Sequence, residues 1–198
     1  MLGRVVEVAS GLSFDEFLQE RIFKPLEMRD TFFRVPDAKM DRLGPVYGPG
    51  PEGLRESRPA AQSRGSQVFF SGAGGLFSTA EDYLRFCRVM LGNGASGGVR
   101  LLSRKSVELM TANHTGGASI WPDLGGSGFG LGVSVVTDLG RSWHLGSEGS
   151  YGWGGAFGTW FWIDPKEELI GILMVQTSGP MHDIRYQVQN LVEQAIVD

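Results

Sequence analysis

Cysteine occurs once in 198 residues, so no disulfide can form within the chain. Histidine occurs three times, at positions 114, 144 and 182, scattered and without an i, i+4 pair, and a metal centre is not expected. Lys and Arg total 18 against 22 Asp and Glu, for a formal net charge of -4, and no basic run appears. The electrostatic footprint of a nucleic-acid binder is therefore missing. No apolar stretch reaches the roughly 18 residues needed to span a bilayer, and no basic start with an apolar centre opens the chain. These absences predict no membrane span and make the cytoplasm the default compartment. A phosphate-cradling Gly-x-x-x-x-Gly-Lys loop and a strand-linked Gly-x-Gly-x-x-Gly are absent, and the Gly-x-Ser-x-Gly spacing at Gly94-Ala95-Ser96-Gly97-Gly98 falls in the glycine cluster that ends a helix, not at the strand-to-helix turn of a nucleophile elbow. Kinase-like, dinucleotide-binding and α/β-hydrolase readings go with them.

Glycine is abundant, at 30 residues, and gathers at 44–53, 72–75, 92–98, 116–132 and 146–158. With 41% hydrophobic and 20% charged residues, the composition is that of a globular chain able to bury a core. The length fits a single domain over 1–198. Between the glycine clusters the pattern is helical at both ends and in the middle, and extended from about Gly130 to Gln176, an α+β signature.

Leu2, Val5, Val6 and Ala9 form an i, i+3, i+4, i+7 stripe that Gly11 stops. Ser13 and Glu16 form a capping box opening a helix through Phe14, Phe17, Leu18 and Ile22, which ends before Pro25. Residues 34–65 hold five prolines and little period, predicting an irregular Pro/Gly-rich surface segment. Ser78 and Glu81 form another box, with Thr79 an alternative cap, for a helix carrying Tyr83, Leu84, Phe86, Cys87, Met90 and Leu91. Cys87 reads as a small buried hydrophobe. Ser103 starts a further helix through Val107, Leu109 and Met110. Strands are expected at Gly130–Asp138, Trp143–Leu145, Ala156–Ile163 and Leu169–Gln176, with Asp164-Pro165-Lys166-Glu167 a hairpin turn. The closing helix, 184–197, puts Ile184, Val188, Leu191, Val192, Ala195 and Ile196 on one stripe.

Residues 150–165, SYGWGGAFGTWFWIDP, place two glycines behind a tryptophan inside strand-like sequence, which marks a bend or a close approach to the backbone. With Leu2–Gly11, Phe23-Lys-Pro-Leu26, Gly74–Tyr83, Gly152-Trp-Gly-Gly-Ala-Phe-Gly158 and Asp164-Pro-Lys-Glu167, the chain resembles the serine β-lactamase and penicillin-binding-protein-like hydrolases. The likeness is greatest to class C β-lactamases and related esterases. The resemblance implies a β-lactamase/transpeptidase-like fold, an antiparallel sheet flanked by helices, and an acyl-enzyme mechanism that needs no cofactor.

In that family a Ser-x-x-Lys motif, a Tyr-x-Asn or Tyr-x-Ser motif and a Lys-Thr-Gly strand on the sheet edge line the pocket. No serine here has lysine three residues later, and no tyrosine has Asn or Ser two residues later. The resemblance thus implies a domain incomplete at its amino-terminal end. Trp153-Gly154-Gly155 stands where Lys-Thr-Gly would be. On that footing Gly154 and Gly155 admit an acyl substrate, Trp153, Tyr151 and Ser150 touch it, and the Ala156 N–H is one oxyanion-hole donor. Such donors are worth about 3–4 kcal/mol each. The alternatives are strand packing for Trp153 and a bulge at the glycines. His144 stands as an alternative base or a structural residue, Ser66 and Ser71 as rival nucleophiles or loop residues, and Glu148 as exposed. The expected substrate is a small-molecule ester or β-lactam, esters favoured because Trp153 removes a cation that would hold a β-lactam carboxylate. A non-catalytic binding module, a homodimer and a complementing amino-terminal chain are the further expectations.

Overall fold

The carboxylate of Glu16 accepts from the Ser13 backbone N–H (3.1 Å) and hydroxyl (2.6 Å), so it reaches back to the N-cap as its spacing predicts. The computed structural model describes residues 1–59, 65, 69–118, 125–179 and 182–197. They fall into two compact units, Met1–Phe86 with Gln176–Gly179, and Cys87–Val175 with Pro180–Asp198.

In the first unit, α1 (Leu2–Ser10) ends at Gly11, whose φ of 75° is the left-handed stop. Its apolar stripe does not face the core as the period suggests: Leu2 is 76% and Val5 57% exposed. Gly3 makes the contact instead, where a Cβ would lie 3.3 Å from the Phe14 ring and 3.4 Å from the Gly72 nitrogen. The helix approaches its neighbours through its smallest residue. Phe14–Leu18 is α2, and it runs on as a π-helical turn over Gln19–Phe23, ahead of Pro25. Phe14, Phe33 and Phe70 form a chain of rings with centroids 5.8 and 5.2 Å apart.

Within 34–65 the structure is more regular than expected. A 3₁₀ helix spans Asp37–Arg42, and β1 (Val46–Gly50) pairs antiparallel with β2 (Gly53–Arg58). The hairpin escapes a sequence reading because β2 is exposed at all six positions, and a strand wet on both faces carries no alternation. The far side of β1 meets residues 176–179: Tyr47 N–H donates to Gln176 O (2.9 Å) and Ser178 N–H to Tyr47 O (2.6 Å).

Helix α3 (Ala80–Leu91) is capped by Thr79, the alternative of the two, whose Oγ1 accepts from Asp82 N–H at 3.3 Å. Ser78 is used elsewhere, bonding the Thr31 hydroxyl at 2.9 Å. Asp82, buried, accepts from Asp30 N–H (2.7 Å) and Thr31 Oγ1 (2.9 Å), tying the first turn of α3 to the segment before the β-hairpin.

The second unit begins with the carboxyl-terminal half of α3, where Cys87 and Val89 are fully buried. Ser103 caps α4 (Arg104–Met110) through the Ser106 N–H at 3.0 Å. A five-stranded antiparallel sheet follows in the order β5 (Ser127–Phe129), β6 (Ser134–Val136), β7 (Tyr151–Gly154), β8 (Trp160–Asp164), β9 (Leu169–Leu173). Sequence neighbours are space neighbours throughout. Two expectations fail here. Trp143–Leu145 is not a strand but loop after a 3₁₀ turn at Leu139–Arg141; Leu145 N–H is bonded by the Asn190 side chain (2.7 Å) rather than by a ladder.

The second failure concerns α5 (His182–Glu193). The carboxyl-terminal part of its apolar stripe points outward, with Leu191 68% exposed, while Ile184 and Val188 are half-buried and Gln189 and Glu193 are buried. The reason is chemical: Trp160 and Trp162 lie under the helix, and each buried indole N–H needs an acceptor. Gln189 Oε1 takes one at 3.1 Å and Glu193 Oε1 the other at 2.9 Å.

Candidate active site

Strand β7 carries Trp153 and Gly154, with Gly155 just past its end, and is the middle strand of the sheet, not an edge. Its register against β8 is continuous, with Tyr151, Gly152, Trp153 and Gly154 opposite Ile163, Trp162, Phe161 and Trp160, so no bulge explains the glycines. Close approach does. A Cβ at Gly152 would lie 2.1 Å from Phe161 O, one at Gly154 2.6 Å from the Arg185 guanidinium, and one at Gly155 2.1 Å from Thr159 Oγ1.

Beyond Gly154 the chain turns at once. Gly155 N–H donates to Thr159 O (2.9 Å) and Gly158 N–H to Gly155 O (3.2 Å), making a tight turn with Ala156 and Phe157 exposed at its tip. Gly158 has φ +92°, which a side chain would disfavour. Half-buried Trp153 sets its ring edge-on to Phe129 of β5, with centroids 4.8 Å apart and planes at 78°. Trp153, Gly154, Gly155 and Ala156 thus lie together at one end of β7.

Ser150 and Tyr151 lie at the other end and are shut away, 1% and 4% exposed. Burial pushes the Tyr151 hydroxyl pKa well above its ordinary value. A cavity of about 560 Å³ opens at that end, between α3, α4 and the β8–β9 turn. Residues 153–156 do not line it.

His144 packs on α5: its ring stacks on Tyr186 (5.8 Å, 13°) and its Nδ1 lies 3.0 Å from Gln189 Nε2 and 2.8 Å from Leu145 O. Burial lowers its pKa, so its neutral form is favoured. Ser71 accepts from Ala73 N–H at 3.1 Å, a loop turn. Ser66 falls outside the described residues, and Glu148 is exposed. Sequence reasoning missed Arg185 and Phe129. The signal for Arg185 was its spacing: Arg185, Gln189 and Glu193 repeat every four residues on the helix, a polar stripe facing a sheet.

The Beta-lactamase family pattern matches residues 1–195. This chain is a member of the Beta-lactamase family. Within it, an uncharacterised protein of Mycobacterium tuberculosis (strain CDC 1551 / Oshkosh) is 36% identical over 189 residues, 89% of this chain and 46% of that protein. Lovastatin esterase of Penicillium rubens is 30% identical over 203 residues, 90% of this chain and 49% of the esterase. Among solved structures, EstCE1, a hydrolase with promiscuous acyltransferase activity, superposes with a TM-score of 0.81 at 23% identity. The match covers 97% of this chain and 53% of EstCE1. The chain has the β-lactamase/transpeptidase-like fold and spans about half the length of the relatives it matches. No helix among the described residues is long and apolar enough to cross a membrane.

Proposed function

We propose that this chain forms part of a serine hydrolase that cleaves carboxylic esters in preference to β-lactams through an acyl-enzyme. In this reading Trp153 lines the acyl pocket and the Ala156 N–H donates to the developing oxyanion. One observation supports the preference: at the third-motif position an indole packed edge-on to Phe129 stands where the family's strand carries a lysine, and the neighbouring Arg185 guanidinium is engaged by the Gly155 and Gly158 carbonyls. The glycines serve packing as well as access, since Arg185 and Thr159 fill the space their side chains would take.

An activated serine needs a base beside it. With no Ser-x-x-Lys in the sequence, the nucleophile is assigned to a part of the protein outside these 198 residues, in the same polypeptide or a complementing one. Intact mass after incubation with a fluorophosphonate tests this. The expected result is no adduct on this chain alone; a single stoichiometric adduct overturns the assignment. With the nucleophile-bearing part supplied, kcat/KM for a short p-nitrophenyl ester should exceed that for a cephalosporin, and the reverse order sinks the ester reading.

A second reading, a non-catalytic module that associates through apolar surface, is favoured by the outward stripe of α5 and the exposed Leu2, Val5 and Val8 of α1. Light scattering decides it: a clean monomer at all concentrations removes this reading.

A further inference from the structure

Gly155 C=O and Ala156 N–H belong to one peptide unit, and a planar amide cannot turn its carbonyl without turning its N–H. Arg185, reaching up from α5, donates from Nη2 to Gly155 O at 2.6 Å and from Nε to Gly158 O at 3.4 Å. It bonds the first and last carbonyls of the turn from one rigid fork. Its guanidinium carbon lies 5.8 Å over the Trp160 ring, and no carboxylate among the described residues pairs with it. Gly154 is the residue that makes room for it.

We propose that Arg185 is a positioning residue: it orients and polarises the Gly155–Ala156 peptide, so that the Ala156 N–H is fixed in direction and strengthened as a donor. The inference rests on the hydrolase reading of this turn. A hydrogen bond to a carbonyl draws electron density through the amide and makes the N–H on its other side more acidic, the cooperative effect of bonds in series. A cation accepted by the carbonyl does this more strongly than a neutral donor. An arginine kept for helix packing alone would be expected to seek a carboxylate; this one ends on two backbone oxygens of the turn that holds the candidate donor.

The test separates this from the hydrolase reading. In ¹⁵N relaxation measurements the order parameter of the Ala156 N–H should stand near the rigid value of about 0.85 in the unmodified chain and fall below about 0.6 in Arg185→Met. Arg185→Lys should recover part of the loss, because an ammonium keeps the charge but not the fork. Amides of β5 and β6 should not change. If Arg185→Met does not fold, Arg185→Lys against the unmodified chain decides by the same comparison. An unchanged Ala156, or a loss shared by the whole sheet, overturns the proposal.

Turnover of p-nitrophenyl acetate, with the nucleophile-bearing part present, is the second arm. There Arg185→Met should lower kcat roughly tenfold with KM little changed, less than deleting a donor outright. Loosening of Ala156 with kcat unaltered keeps the clamp and refutes only the oxyanion role. If the unmodified protein gives no turnover, the order parameters still decide whether Arg185 holds the peptide.

Discussion

Trp162 donates its indole N–H to Glu193 Oε1 across 2.9 Å, joining the middle of β8 to the last turn of α5. On its other side the same indole lies so close to Gly171 of β9 that a Cβ there would sit 2.2 Å from the ring. Helix, ring and strand are stacked with no spare space, and each layer gives a different prediction.

Glu193 is a buried carboxylate whose pKa is raised above 4.5, chiefly by desolvation; the Trp162 bond opposes this, and the Asp164 and Glu167 charges add to it. A raised carboxyl pKa means that the folded state holds the proton more tightly than the unfolded state. Its favourable contribution is complete below the unfolded value and is lost as pH rises through the folded one. Glu193→Gln keeps an acceptor for Trp162 and removes the charge. In urea titrations the variant should gain stability relative to the parent between pH 4 and pH 7, and a constant difference across that range counts against the assignment.

Gly171→Ala inserts a methyl group into the Trp162 ring. Overpacking of this kind costs about 1–3 kcal/mol. Chemical denaturation should show that loss together with a changed near-ultraviolet circular dichroism of the displaced indole. A neutral substitution would mean that the strand shifts freely, contrary to the packing described.

Gly154→Ala should be harmful chiefly while Arg185 is present, because the guanidinium is what its Cβ would strike, at 2.6 Å, with the Trp160 ring further off at 3.2 Å. A double-mutant cycle with Arg185→Met should therefore show a coupling of about 0.5–3 kcal/mol, the range for residues in contact. Strict additivity would place the need for glycine elsewhere.

Cys87 is fully buried on α3, and desolvation pushes its thiol pKa up to about 12. It should not react with a disulfide reagent at pH 8 in the folded protein and should react stoichiometrically in urea. Fast labelling without denaturant would contradict its burial.

Local signals were the ones legible in the sequence. The Glu16 cap, the Ser103 cap and the Gly11 stop depend on residues within a few positions of each other, and the structure has all three. The features that misled depend on what lies opposite. Leu191 and Val192 look like the inner face of α5 until Trp160 and Trp162 are known to present N–H groups beneath it. Trp143–Leu145 has strand composition but finds Asn190 instead of a partner strand. At the candidate site, family likeness pointed to Trp153, Gly154, Gly155 and Ala156, which the structure brings together at one end of β7, and to Ser150 and Tyr151, which it buries at the other. The reason for Gly154 was not legible, because Arg185, which fills the space beside it, lies some thirty residues further along the chain; Gly155 makes room for Thr159.

Residues 176–179 have a consequence for how the protein is made. Gln176 Nε2 donates to Gly44 O at 2.6 Å across 132 residues of sequence, beside the bridge between Tyr47 and Thr177. The first unit is thus closed by a piece of chain synthesised after the sheet of the second and before its helix α5. Until that piece leaves the ribosome, β1 is paired on one side only and presents an open edge, a surface prone to wrong partners. Closure over so long a loop is also slow compared with forming the helices. The last step in assembling the amino-terminal unit therefore waits on the carboxyl-terminal quarter of the chain.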